Sequence, residues 1–133
     1  WTDPSPFGEG TLGEALLAPT RLYVRPVLAA IRHGGVHAAA HITGGGLIEN
    51  VPRIIPEGLC AKIETSKIKV PTVMQELEKR GKIDRMEMFG TFNMGVGMVV
   101  VVAEKDAHKV LELLDDAYGI GVITEGAEKI LLK

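Results

Sequence analysis

The chain has 133 residues with a formal net charge of −2 and a pI near 6.1. That balance argues against a general nucleic-acid or membrane-surface binder, which carries a basic patch or stripe. Apolar residues make up 46% of it, and a domain of this size buries roughly two-thirds of its unfolded surface, so one core suffices without disulfide or metal.

Residues 1–10, rich in Pro, Gly and Ser with no initiator Met, read as a linker. Residues 11–133 read as one domain, and the whole chain as a domain cut from a longer protein. Thr11 is a candidate N-cap for a short helix from Leu12 to Leu17 that Pro19 ends. Leu22-Tyr23-Val24 is expected as a short strand. Pro26 fits the first position of a helix to about His33, with Val27, Leu28 and Ile31 on one face. Gly34-Gly35 stops it.

Val36 to Ile42 alternates as a strand does. Val36, Ala38, Ala40 and Ile42 point one way; His37, Ala39 and His41 point the other. His41 then lies at the strand's carboxyl end, where ligands collect in open α/β sheets. Gly44-Gly45-Gly46 follows at once, before a helical pattern of Leu47, Ile48, Val51, Ile54 and Ile55 that Pro52 should kink. Leu59 to Ile63 is a strand. Pro71 opens a helix through Arg80 with Val73, Met74 and Leu77 inward and Gly81 just past its end. Asp84 caps a short helix, Arg85 to Phe89. Met94 to Val102 is the strongest strand, apolar enough for burial on both faces. Glu104 to Asp115 is an amphipathic helix through Ala107, Val110, Leu111 and Leu114. Gly119 to Ile123 and Glu128 to Leu132 are strands with hairpin-like pairing across Glu125-Gly126. This interleaving predicts an α/β layered domain with a mixed sheet.

Most catalytic motifs are absent. On a strand His37 and His41 lie about 13 Å apart, too far to share a metal. No Lys-Ser/Thr follows the glycines as in a P-loop. Glu49 stands where a third glycine would complete a dinucleotide fingerprint. There is no Gly-x-Ser-x-Gly elbow. Cys60, the only cysteine, lies in an apolar run and reads as a buried, inert thiol of a reducing compartment. No secretory segment opens the chain, and no apolar run is long enough to span a bilayer.

Two readings of the glycines remain. They form a tight turn needing positive φ, or they bring N–H groups up to an anion. His41 is either a satisfied, partly buried histidine or a group that binds substrate and transfers a proton. Asn50 and Arg53 lie near in sequence, and a guanidinium pairs bidentately with phosphate. Asn93, before Met94-Gly95-Val96-Gly97, marks a second point of close backbone approach or a plain turn. Arg21 and Arg25 read as surface charges.

Several stretches together resemble one family. They are Leu12-Gly13-Glu14-Ala15-Leu16-Leu17, Pro19-Thr20-Arg21-Leu22-Tyr23-Val24, Val36-His37-Ala38 leading into Ala40-His41-Ile42-Thr43-Gly44-Gly45-Gly46, Glu49-Asn50-Val51-Pro52-Arg53, and Thr91-Phe92-Asn93-Met94-Gly95-Val96-Gly97-Met98. In this order they resemble the C-terminal domain of phosphoribosylformylglycinamidine cyclo-ligase, or aminoimidazole ribonucleotide (AIR) synthetase. The resemblance implies a three-layer α/β/α fold, partly ferredoxin-like. It implies ATP-dependent closure of an imidazole ring on formylglycinamidine ribonucleotide, in de novo purine synthesis in the cytoplasm. It places His41 at a catalytic histidine, and Thr43, Gly44, Gly45, Gly46, Asn50 and Arg53 at substrate-binding positions. In that family an N-terminal domain holds most of the ATP and magnesium and the main homodimer interface. None of its motifs is here, so this chain alone is expected to bind no cofactor and to be inactive. Formylglycinamidine ribonucleotide synthetase, selenophosphate synthetase and thiamin-phosphate kinase share the domain pair. A non-catalytic phosphoribosyl-binding or oligomerisation module is the reading from another class.

Overall fold

A computed structural model describes residues 1–133. Local signals set the helices. The Thr11 hydroxyl caps α1 (Leu12–Leu16) in a reciprocal capping box with Glu14. Asp84 caps α5 (Arg85–Thr91) by accepting from the Met86 and Glu87 N–H groups. Pro52 divides the helix after the glycines into α3 (Gly46–Asn50) and a 3-10 turn (Val51–Ile54). α4 spans Thr72–Gly81, so Gly81 is inside the helix and Lys82 takes the left-handed position after it, at φ 50°.

The strand expected at Leu22–Val24 does not form. α2 runs Val24–His33, so Pro26 sits within the first turn, where its missing N–H is no loss. Leu22 and Val24 are 86% and 67% exposed, and no strand lies beside them to form a ladder. The face of α2 that packs inward centres on Ala30, not on Leu28 and Ile31, which are exposed; Leu77 of α4 is exposed as well.

β1 (Val36–His41) pairs antiparallel with β3 (Met98–Val102). A bulge between Val36 and Ala38 breaks the expected alternation. Val36 therefore joins Val100 and Val102 against Ala30 of α2 and against Val110 and Leu114 of the helical segment after β3. Ala40, Ile42, Val99 and Val101 face the main core, with Leu47, Val51, Met88 and Phe89. The ribbon is covered on both faces, as β3's apolar run anticipates. β3 is shorter than expected, because Met94 and Gly95 take φ 51° and 90° and the Asn93 side chain accepts the Gly95 N–H at 3.0 Å. Residues 93–96 are a turn, closed by the Val96 N–H donating to the Asn93 carbonyl at 2.9 Å. The chain after β3 starts as a 3-10 turn (Glu104–Asp106) before α6 (Ala107–Leu113), and Leu111 is exposed.

β2 (Leu59–Ile63), β4 (Gly121–Glu125) and β5 (Ile130–Leu132) form a separate sheet. The expected hairpin between the last two strands is not made. β2 lies between them, antiparallel to β4 and parallel to β5. Cys60, Ala61 and Ile63 are buried, so β2 is the strand with most to gain from a central place. The connection turns at Gly126, where a Cβ would fall 2.6 Å from the Cys60 Cβ. The fold is α+β and layered, with two sheets, one of them mixed.

Candidate functional site

β1 ends at His41, and the chain leaves the ribbon through Ile42 and Thr43 into the glycines. Ile42 is buried and its N–H donates to the Gly97 carbonyl at 2.9 Å. That bond ties the start of the glycine loop to the turn before β3. His41 pairs with Met98 across the ribbon, and its side chain is exposed. It meets the Tyr23 ring edge-on, with centroids 6.0 Å apart and planes at 60°. Tyr23 is the one residue here that the linear pattern does not flag. It sits in the loop before α2, and only the packing of that helix brings it to His41.

The three glycines have three different duties. Gly44 is exposed, and a Cβ there would meet nothing within 4 Å. Gly45 has φ 88°, and a Cβ there would run into the Glu49 side chain, which folds back over it. Gly46 is packed into the fold. It is buried, its N–H donates to the Thr43 carbonyl at 3.0 Å, and a Cβ would collide with the Phe89 and Phe92 carbonyl oxygens. It lets α3 pack against the end of α5. The N–H groups of Gly44 and Gly45 donate to no protein acceptor. They are the donors available to an anion, with the Glu49 carboxylate beside them as a group that must swing aside.

Asn50 turns into the loop. It is 4% exposed, and its Nδ2 donates to the Gly44 carbonyl at 3.1 Å and the Gly46 carbonyl at 2.8 Å. Both amide hydrogens are spent on shaping the loop. Arg53 lies on the 3-10 turn, exposed and without an ion pair. Thr43 is exposed at the mouth of the loop. Asn93 serves its own turn. Arg21 donates to the Asp115 carbonyl at 3.2 Å and approaches Asp116 at 3.4 Å, an exposed contact worth about 0–1 kcal/mol.

On the other side of Tyr23 lies a small apolar cleft of about 90 Å³ between α2, β3 and the end of α6, lined by Pro26, Val27, Met98, Val100 and Leu114 among others. No three His, Cys, Asp or Glu side chains converge anywhere in the chain. No helix is long and apolar enough to cross a membrane.

An α+β domain whose glycine loop leaves a strand end beside an exposed histidine is the class this geometry defines. The family model described as AIR synthase related protein, C-terminal domain, matches residues 2–133. The chain belongs to that family, whose members are domains of synthetase-type enzymes.

Proposed function

We propose that this chain is the C-terminal domain of a phosphoribosylformylglycinamidine cyclo-ligase, acting in the cytoplasm. The reaction converts formylglycinamidine ribonucleotide and ATP to aminoimidazole ribonucleotide, ADP and phosphate. ATP phosphorylates the formyl amide oxygen, which is otherwise a poor leaving group. The ring-closing amine then attacks that carbon and expels phosphate. The observation that carries the reading is the pairing of two stretches distant in sequence. His41-Ile42-Thr43-Gly44-Gly45-Gly46 and Phe92-Asn93-Met94-Gly95-Val96-Gly97 meet through the His41–Met98 register and the Ile42–Gly97 hydrogen bond.

In this reading the Gly44 and Gly45 N–H groups receive the substrate phosphate, with Thr43 and Arg53 beside them. His41 holds the reacting end or moves its proton. Asn50 keeps the loop carbonyls turned inward. An N-terminal domain, joined through residues 1–10 to the domain of residues 11–133, supplies the ATP and magnesium sites and the homodimer interface. The domain alone performs no turnover, because phosphoryl transfer requires the phosphates and the metal to be held in place.

The test uses the native full-length protein with ATP, magnesium and formylglycinamidine ribonucleotide, following ADP and aminoimidazole formation together. His41→Ala is expected to lower kcat by about 10²-fold or more with a smaller change in KM. Gly45→Val is expected to raise KM by closing the backbone to the phosphate. ADP release with a different acceptor, and none with this one, would move the protein to another member of the family. Turnover by residues 1–133 alone would sink the two-domain reading.

A further inference from the structure

The geometry points to β4 as a strand-pairing surface for a second copy of this chain, joined about a two-fold axis through Ile123. β4 is an outer strand of its sheet, bonded only to β2. In an antiparallel ladder alternate residues turn their N–H and C=O groups toward the partner, and the rest turn them away. The phase here is set by bonds at both ends: Glu64 N–H donates to the Ile120 carbonyl at 2.8 Å, and Gly126 N–H to the Gly58 carbonyl at 3.1 Å. Val122 and Thr124 therefore bond to β2. Gly121, Ile123 and Glu125 present their backbone groups to the free edge. β2 keeps the same phase on its other side, where Ala61 N–H donates to Lys129 and Lys133 N–H donates to Ile63.

Exposed edges are normally blunted by Lys, Pro, a bulge or shortness. β1 has its bulge, β5 has 3 residues, and β3 is half-buried throughout. β4 has no Lys, Pro or bulge, and its only charge is Glu125 at its end. Its sequence is Gly-Val-Ile-Thr-Glu, with Val122 62% and Ile123 37% exposed.

A second copy fits this edge because its outward residues are self-complementary. Antiparallel pairing centred on Ile123 sets Ile123 against Ile123, and Gly121 against Glu125. Every outward N–H then finds an outward C=O, each such pair exchanging two hydrogen bonds. Val122 meets Thr124 in the positions between. The one charged residue of the strand, Glu125, faces glycine and not its own copy, so the register avoids the like-charge pair that would oppose it. The Thr124 hydroxyl, donating to the Glu125 carbonyl at 3.2 Å, leaves that oxygen a second lone pair. This interface lies within residues 11–133 and is separate from the one proposed for the N-terminal domain.

The test uses the 133-residue chain in sedimentation and light scattering over a protein concentration series, with amide hydrogen exchange at both ends of it. The wild type is expected to double in mass as concentration rises. Exchange at Gly121, Ile123 and Glu125 should slow over the same range. Ile123→Pro removes an outward N–H and leaves the β2 ladder intact, so it should stay monomeric with an unchanged far-ultraviolet spectrum. Ile123→Lys adds a charge to the edge and should do the same without touching the backbone. A wild type monomeric up to its solubility limit overturns the proposal and leaves the edge to some other strand. So does a dimer that survives both substitutions, or one that protects other amides.

Discussion

The Tyr23 hydroxyl occupies the space that a Cβ on Gly97 would need. Gly97 is buried, and its carbonyl receives the Ile42 N–H, so this contact fixes Tyr23 over the junction of β1 and β3 beside His41. Gly97→Ala is expected to destabilise the chain by about 1–3 kcal/mol, as overpacking does. Tyr23→Ala should remove most of that penalty, giving a coupling of about 0.5–3 kcal/mol in a double-mutant cycle. Urea unfolding of the four proteins measures it. Additive effects would mean that the phenol ring is not what excludes the methyl group.

The glycine loop should respond to alanine in a graded series. Gly44→Ala has open space and ordinary φ, and its effect should lie within about 0.5 kcal/mol. Gly45→Ala must hold a left-handed φ and displace Glu49, whose Cβ as well as its carboxylate lies in the way, for about 1–3 kcal/mol. Gly46→Ala meets two backbone carbonyls that cannot rotate away, and should cost about 3 kcal/mol or more. Equal effects at all three would return the run to a simple turn. A full-length Gly44→Ala enzyme that is stable but binds nucleotide poorly would separate anion binding from folding.

What the sequence made legible was local. Thr11 and Asp84 announce helix starts through side chains that act within three residues. Pro52 announces the break after α3, and Leu59–Ile63 is bounded as read. The misread elements were decided by partners far along the chain. Leu22–Val24 has strand-like residues and no neighbour to pair with. β4 and β5 carry the residues of a hairpin, yet the buried β2 takes the place between them. The bulge beside His37 reverses Val36, and a pattern of alternation carries no sign of an inserted residue. At the candidate site, the sequence put His41 beside the glycine loop because they are adjacent in the chain. Tyr23 against His41, Glu49 over Gly45 and the inward amide of Asn50 arise from tertiary packing, which spacing does not encode.

Acid should fray α1 before the core responds. The Glu14 carboxylate accepts the Thr11 N–H at 2.8 Å and the Thr11 hydroxyl at 3.0 Å. These bonds, the backbone one foremost, hold its pKa below the ordinary 4.5. A carboxyl whose folded pKa is depressed stabilises the fold above its unfolded pKa, and that contribution fades as pH falls through the folded value. Backbone chemical shifts of Leu12–Leu16 should therefore stay helical down to about pH 4.5 and drift toward coil below it. Glu14→Gln keeps an acceptor but not the charge, and should flatten that pH dependence. A wild-type profile matching the Gln variant would show that the charge adds nothing to the cap.

Asn50 separates a residue that shapes the loop from one that grips a ligand. Its two amide hydrogens bond the Gly44 and Gly46 carbonyls, on either side of Gly45 in the loop whose Gly44 and Gly45 N–H groups face the proposed phosphate. Asn50→Ala should cost about 1–3 kcal/mol, the range for stripping partners from buried polar groups. Asn50→Asp should cost more at neutral pH, because a carboxylate would face those two carbonyl oxygens with no hydrogen to donate. Both losses should appear in thermal unfolding of the ligand-free chain. In the full-length enzyme the loss of nucleotide affinity should follow the loss of loop order, read from amide exchange at Gly44 and Gly45. An Asn50→Ala chain as stable as the wild type, with nucleotide binding alone impaired, would assign the side chain to the substrate.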